Sequence, residues 1–306
     1  MTMLTVAFCT YKRADRLEKL VESLRVQFCP VPYEILVVNN NSPDDTLAVL
    51  ERLATVSGVP LRYITETAQG IVPARNRAIE ESLSSDIVVF IDDDELPRPG
   101  LLNAAYDAIV NEGAQCVGGQ VNVDFTPHGR PTWLEDDLLG FLAEVNYGNT
   151  SFWITQVNTP VWTANIAYDM KLFRMDPNLR FDRRFNREGT DVGGGEDAAM
   201  FQTLLSRGTR IRYRPDMAVL HFVEPWRLKR SYFLRLHYKA GYRQGKIQSP
   251  EYEKNIFGIP PFLFYLLAKH SLQSLKKWLG SEPGQLRQAM NTAHALGMLL
   301  GYRARH

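Results

Sequence analysis

The sequence predicts an α/β protein: a mostly parallel central sheet flanked by helices, followed by a helical C-terminal region. Three observations lead there. Apolar runs and amphipathic stretches alternate through about the first hundred residues, one run breaks off in four consecutive acids, and beyond about residue 225 the composition turns basic, aromatic and leucine-rich. The chain has 306 residues, 45% hydrophobic and 23% charged, enough apolar material for a packed core and too much for disorder.

The elements follow in order. Leu4 to Phe8 is a short apolar run fit for a buried strand, and Leu17, Leu20, Val21 and Leu24 then recur at helical spacing. Glu34 to Val38 gives a second strand, the polar loop NNNSPDD its exit, and Leu47, Val49, Leu50 and Leu53 a helix beginning near Thr46. Leu61 to Ile64 is a third strand, leading through Gly70 to a helix near Pro73, where proline suits a first turn. The fourth, Ile87 to Ile91, runs into Asp92, Asp93, Asp94 and Glu95. Later come a helix from Ala198 to Leu205 after Gly193, Gly194 and Gly195, and an apolar run Met217 to Leu220 ending at His221.

Charge and cysteine usage narrow the function classes. With 35 Lys+Arg against 34 Asp+Glu the formal charge is +1, so no global basic field holds a nucleic acid, and none is expected as a partner. Cys9, Cys29 and Cys116 are odd in number and widely spaced, which argues against a disulfide framework or a thiolate metal site. The N-terminal stretch lacks the pattern of an export signal, and a cytoplasmic location is expected.

The acids after the fourth strand are the most informative feature. In an open α/β sheet, ligands bind at the carboxyl ends of strands. Adjacent carboxylates raise one another's pKa unless a cation or solvent compensates them. Oxygen ligands in this number suit Mg²⁺ or Mn²⁺, which keep coordination positions open for phosphate oxygens. The plain alternative is a solvated acidic turn before Pro97 and Pro99.

Taken together, VAFCTYKRADRLEKLVESL, EILVVNNNSPDDT, GIVPARNRAIE and VVFIDDDELP resemble the family 2 glycosyltransferases, inverting enzymes of the GT-A fold, in order and spacing. VWTANIAYDMKLF, FDRRF and GGGEDAAMFQTLL resemble that family's acceptor side. The resemblance runs from about Val6 to about Leu205. It implies a catalytic domain over 1–225, its nucleotide-binding half about 1–110 and its acceptor-side half about 111–225, with a C-terminal helical extension over 226–306. It also implies a divalent cation, a nucleotide-diphosphate sugar donor, and a glycan or lipid-linked acceptor of the kind used in polysaccharide and cell-envelope synthesis.

Residue roles are carried over on matching positions. Asp92 and Asp94 hold the metal, completed by His221, while Asp93 meets the ribose or a metal-bound water. Thr10, Tyr11, Arg13, Asn39 and Asn41 line the donor, and Arg75, at a helix start, adds positive charge near the diphosphate. The family commonly has Asp at Asn39, so the base stays open, and Asn39 to Asn41 read equally well as a turn. Asp197 is the family's base position, yet Glu196 could take the role, and either could simply cap a helix. Asn165 falls near the donor sugar. Alternatives stay open for Arg75 (a surface residue pairing with Glu80 or Glu81) and for His221 (a packed histidine).

Arg227 and Lys229 are candidates for the diphosphate or plain surface charges. Of Trp133, Trp153, Trp162 and Trp226, one or two are expected to stack on sugar. The apolar run Ile259 to Ala268, with two prolines, is too short to span a bilayer, and Phe262 to Leu279 reads as a helix mixing apolar residues with Lys269, Lys276, Lys277 and Trp278. It would lie on the inner face of a membrane as a peripheral contact, cap the catalytic domain, or form a dimer contact. Oligomeric state is not legible. With no Q-x-x-R-W segment, single sugar addition is favoured over processive synthesis. Two other readings stand beside this one: a sugar-1-phosphate nucleotidyltransferase, which would want a glycine-rich loop that CTYKRADR lacks, and a non-catalytic nucleotide-sugar-binding protein.

Overall fold

The computed structural model describes residues 2–187 and 194–305. These form two units: residues 2–187 with 195–223, and residue 194 with 224–305.

In the first unit the expected alternation appears as β1 (Leu4–Thr10), α1 (Ala14–Arg25), β2 (Tyr33–Asn39), α2 (Thr46–Ala54), β3 (Leu61–Thr65), α3 (Ile71–Glu81) and β4 (Ile87–Ile91). Leu17, Leu20, Val21 and Leu24 of α1 are buried, as their spacing requires. Then follow β5 (Glu95–Pro97), α4 (Leu101–Val110), β6 (Cys116–Asp124), β7 (Phe152–Ile154), β8 (Asn165–Asp169), α5 (Lys171–Met175), α6 (Glu196–Ser206) and β9 (Ile211–Phe222). The sheet order is β3-β2-β1-β4-β8-β6-β9-β5, with β7 also pairing β9. Strands β1 to β4 run parallel to one another, β8 is antiparallel to both neighbours, and β6 lies parallel to β9.

One irregularity shapes the site. The β6–β9 register jumps between Gly119 and Gln120, where β9 passes from Arg214 to Ala218. Pro215, Asp216 and Met217 form the bulge, where a residue without an N–H costs no ladder bond. Arg214 clamps it by donating to Asp216, to Asp107 at 2.7 Å and to Glu112 at 2.6 Å. A Cβ on Gly119 would overlap the Met217 carbonyl, so the bulge needs glycine opposite it. Beyond the bulge, β9 pairs with β5 and continues through His221 to Phe222. His221 is thus the penultimate residue of β9, at the strand end where the apolar run placed it.

The second unit holds α7 (Arg230–Arg243), a π-helical turn over Gln244–Gln248, α8 (Pro261–Leu279) and α9 (Gln285–Arg303). Helices α7 and α9 meet through glycine. Gly241 and Gly245 lie against the carbonyls of His294 and Met298, while Gly297 and Gly301 lie against those of Tyr238 and Tyr242. The four-residue spacing on both segments lets the backbones approach more closely than any side chain would permit. Among the described residues no helix is long and apolar enough to cross a membrane.

Candidate active site

The carboxyl end of β4 folds back on itself. The Glu95 N–H donates to the Asp92 carbonyl at 3.2 Å, and the Glu95 carboxylate accepts the Asp92 N–H at 2.9 Å. Pairing of β5 with β9 sets Glu95 opposite His221, and the Phe222 N–H donates to the Asp94 carbonyl at 2.8 Å. Asp93 accepts a hydrogen bond from the Thr10 hydroxyl at 2.7 Å, joining the ends of β1 and β4. Burial, then Asp94, pushes its carboxyl up to about 7, against the pull of Thr10 and Arg13. Burial raises Asp92 and Glu95 as well.

Arg75 is the hub. It is 3% exposed, and its guanidinium donates to Glu196 at 2.9 Å, to Asp197 at 3.0 Å and to Asp92 at 3.3 Å. Burial alone would lower its pKa, but Asp197, Asp92 and Glu196 together hold it above its ordinary value. The surface alternative, pairing with Glu80 or Glu81, is overturned: Arg77 takes Glu81. Arg75 enters this pocket because α3 starts beside it. Gly70, at φ 125°, turns the chain into the helix, and Asn186 fixes the start by accepting from the Val72 N–H at 3.1 Å and donating to the Gln69 carbonyl at 3.1 Å.

Glu196 and Asp197 open α6 after Gly195, and neither side chain caps the helix. Of the glycine run before them, Gly193 lies outside the described residues. Burial raises the Glu196 carboxyl, Asp197 raises it further and Arg75 opposes. Glu196 Oε2 is buried with no partner among the described residues. Asp197 Oδ1 also accepts a short hydrogen bond from the Thr163 hydroxyl. Thr163 was not legible as a site residue; its only sequence signal is its place in the WTAN segment.

Other expected residues fall differently. Asn165 is 1% exposed and donates to the carbonyls of Gln120 at 2.9 Å and Met217 at 2.7 Å, bridging the two strands at the bulge. Its amide N–H groups serve the sheet, a structural task that stands beside the donor-side role the resemblance implies. Asn39 is buried and accepts the Ser42 N–H at 3.1 Å, and Asn41 sits at φ 54°, so the turn reading describes their side-chain and backbone roles here. Tyr11 is partly exposed beside Lys12, and Arg13 precedes α1. Trp162 packs on the core, Trp133 is half-buried, and exposed Trp153 carries Arg212 over its ring. Trp226, Arg227 and Lys229 belong to the second unit.

The donor set fits a hard divalent cation in part. Asp94 Oδ1 and His221 Nε2 stand 3.6 Å apart, too far for a hydrogen bond and close enough for both to reach an ion about 2.1 Å from each. Asp92 is turned to Arg75, and among the described residues no three His, Cys, Asp or Glu side chains are grouped to hold a metal.

Residues 5–175 match the model of glycosyl transferase family 2, more than half of the chain. The chain belongs to the family 2 glycosyltransferases. It is 33% identical over 175 residues to the glycosyltransferase AglE of Haloferax volcanii, 56% of this chain and 52% of that protein, so it spans about half the length of this relative. Among solved structures it is similar to the mannosyltransferase PcManGT of Pyrobaculum calidifontis, solved with GDP-Man and Mn²⁺, at TM-score 0.62 and 20% identity over 97% of this chain and 86% of that one. It is also similar to S. aureus TarS 1-349 in complex with UDP-GlcNAc, at TM-score 0.59 and 18% identity over 99% and 90%. The fold of this family 2 glycosyltransferase is therefore GT-A, as the motifs implied, and the nucleotidyltransferase reading is set aside.

Proposed function

We propose that this family 2 glycosyltransferase is metal-dependent and inverting, and moves a single sugar from a nucleoside diphosphate sugar to a hydroxyl of a glycan or lipid-linked acceptor. The observation that carries the reading is the position of Asp197. It is a partly exposed carboxylate (22%) whose Oδ1 is fixed by buried Arg75 and by Thr163, beside the acidic strand end. A general base needs that kind of orientation before it needs anything else. In the displacement, Asp197 takes the acceptor proton as the acceptor oxygen attacks the anomeric carbon from the face opposite the diphosphate. Glu196, more buried and shared with Arg75, serves as the positioning group.

Asp94 and His221 would hold Mg²⁺ or Mn²⁺, with Asp92 joining if it leaves Arg75. The ion, when bound, supplies positive charge against the departing diphosphate. Thr10 orients Asp93 toward the donor through their hydrogen bond. The nucleotide sugars in the solved relatives support this class of donor, and the manganese in one supports the ion. One holds GDP-Man and the other UDP-GlcNAc, so the two differ in base.

The test is a panel of nucleotide sugars scored for Mn²⁺-dependent hydrolysis and transfer, with Asp197→Asn alongside. Turnover should fall about 10²-fold or more while donor binding persists. Near-normal turnover in that variant refutes the assignment, and donor binding without turnover in the parent chain would favour a non-catalytic protein.

A further inference from the structure

Charge is divided unequally along this chain. Residues 224–306 carry 14 Lys+Arg against 4 Asp+Glu, a formal +10, while residues 1–223 carry −9. The near-zero total hides both. Within the basic part, α7, α8 and α9 contain no acid at all.

Helix α8 is two-faced in an unusual sense. One side packs on α9: Leu263 is buried, Ser274 shares a hydrogen bond with Thr292 at 2.8 Å, and Gln288 donates to the His270 carbonyl at 3.1 Å. At 100° per residue the opposite side is a stripe of Phe264, Tyr265, Leu272, Leu275 and Leu279, exposed by 40, 68, 68, 51 and 70%. Isolated exposed leucines are ordinary, but an unbroken stripe along a 19-residue helix marks a surface that something covers. Lys269 and Lys276, one heptad apart and both exposed, border it.

A second feature precedes the helix. Ile256 and Ile259 pair across a tight turn whose central residues, Phe257 and Gly258, have φ 51° and 75°. Asn or Gly fits such a turn without strain. Here Phe257 occupies it with its ring 94% exposed, unfavourable both in backbone and in hydration.

We infer that residues 256–279 form a docking surface for an anionic lipid bilayer, with the α8 stripe and Phe257 entering the acyl boundary and Lys269 and Lys276 meeting the headgroups. Charge and symmetry decide the occupant. In a two-fold dimer the α8 face would meet itself and set +10 against +10, whereas a bilayer of acidic lipid neutralises both lysines and takes the stripe at once. The surface stands or falls apart from the transferase reading, because it belongs to other residues and is read by another assay.

The experiment is co-sedimentation of the whole chain with vesicles of phosphatidylglycerol and phosphatidylcholine, against phosphatidylcholine alone, at about 0.1 M salt. Partition is expected on the mixed vesicles and at least tenfold weaker on the neutral ones. Leu272→Gln with Leu275→Gln should weaken it at least tenfold, Phe257→Asn several-fold, and Lys269→Gln with Lys276→Gln should abolish the preference for acidic lipid. These positions are solvent-exposed, and Asn is at home in the left-handed turn, so the melting temperature of each variant should hold. No partition on acidic vesicles overturns the inference, as does partition indifferent to the stripe variants. So does a lipid-free dimer, seen in analytical ultracentrifugation, that the leucine variants dissolve.

Discussion

Removing the Arg75 guanidinium should cost this protein more than any other single charge change at the site. In Arg75→Met the aliphatic stem is kept, and three carboxylates lose their shared donor. The worth of each contact follows its burial. Arg75 and Glu196 are both 3% exposed, while the Asp197 and Asp92 side chains are 22 and 37% exposed and screened accordingly. Orphaning one partner of a fully buried pair costs about 3–5 kcal/mol, and that figure belongs chiefly to Glu196. At about 2–4 °C per kcal/mol for a domain of this size, the melting temperature should fall by about 6–20 °C. The double variant Arg75→Met with Glu196→Gln removes the charge as well as its partner, so it should lose less than the two single changes summed, by about 0.5–3 kcal/mol. The pH dependence has a definite sign. Burial raises the Glu196 carboxyl and Arg75 is the strongest of the groups that pull it down, ahead of Arg187, so the single variant raises that carboxyl further above its ordinary value. A carboxyl raised in the folded state binds more protons there than in the unfolded chain; its stability contribution is full below the unfolded pKa and is lost as pH rises through the folded one. The deficit of Arg75→Met should therefore be larger at about pH 8 than at about pH 5. Calorimetric melts of the four species at both pH values give the answer. A fall below 2 °C, strict additivity, or a deficit that grows on acidification would refute the account.

Three further outcomes are expected. Gly119→Ala places its Cβ on the Met217 carbonyl and the Asn165 amide, so it should destabilise by about 1–3 kcal/mol in chemical unfolding, and a neutral result would mean the bulge is not held as described. Gly297→Ala tests the α7–α9 contact by sign: alanine in an open helix position would stabilise by about 1 kcal/mol, but here the Tyr238 carbonyl is in the way and a loss is expected in the same assay. Mn²⁺ at a hundred times its Kd should stabilise the chain by about 2.7 kcal/mol in thermal shift, and Asp94→Asn should remove that gain; an equal gain in the variant would place the ion elsewhere.

The elements from β1 to β4, and α6, were legible because each is a local pattern, whereas β5 to β8 with α4 and α5 were not read from the sequence. Leu17 to Leu24 is a stripe whatever follows it, and Ile87 to Ile91 is a buried strand by composition alone. Arg75 was not legible in the same way. Its local neighbours on the helix, Glu80 and Glu81, offered a sufficient partner, and its true ones lie 121 and 122 positions away. Asn165 shows the converse: an amide beside a motif reads as a ligand contact, and its structural task comes into view only with the register jump on the neighbouring strands, where two carbonyls take its N–H groups. The facing glycines, Gly241 and Gly245 against Gly297 and Gly301, were not read from the sequence, because their meaning lies in the partner segment each one meets.

What the site demands can be argued from its charge balance. Asp92, Asp93, Asp94, Glu95, Glu196 and Asp197 gather at the ends of β4 and α6, and Arg75 contacts three of them. Burial first, with neighbouring carboxylates adding to it, raises Asp92, Asp93, Glu95 and Glu196, and Arg75 is helped against this by Arg187 at Asp92 and Glu196 and by Arg13 at Asp93. A cluster so loaded binds either protons or a cation. The proposed chemistry needs the second of these, because carboxyls that hold protons at neutral pH neither ligate an ion nor accept the proton of an attacking hydroxyl. Arg75 thus has a double task. It pulls the Glu196 carboxyl down against burial, and it holds Asp92 at 3.3 Å, so the proposed ion would rely on Asp94 and His221 or on the release of Asp92.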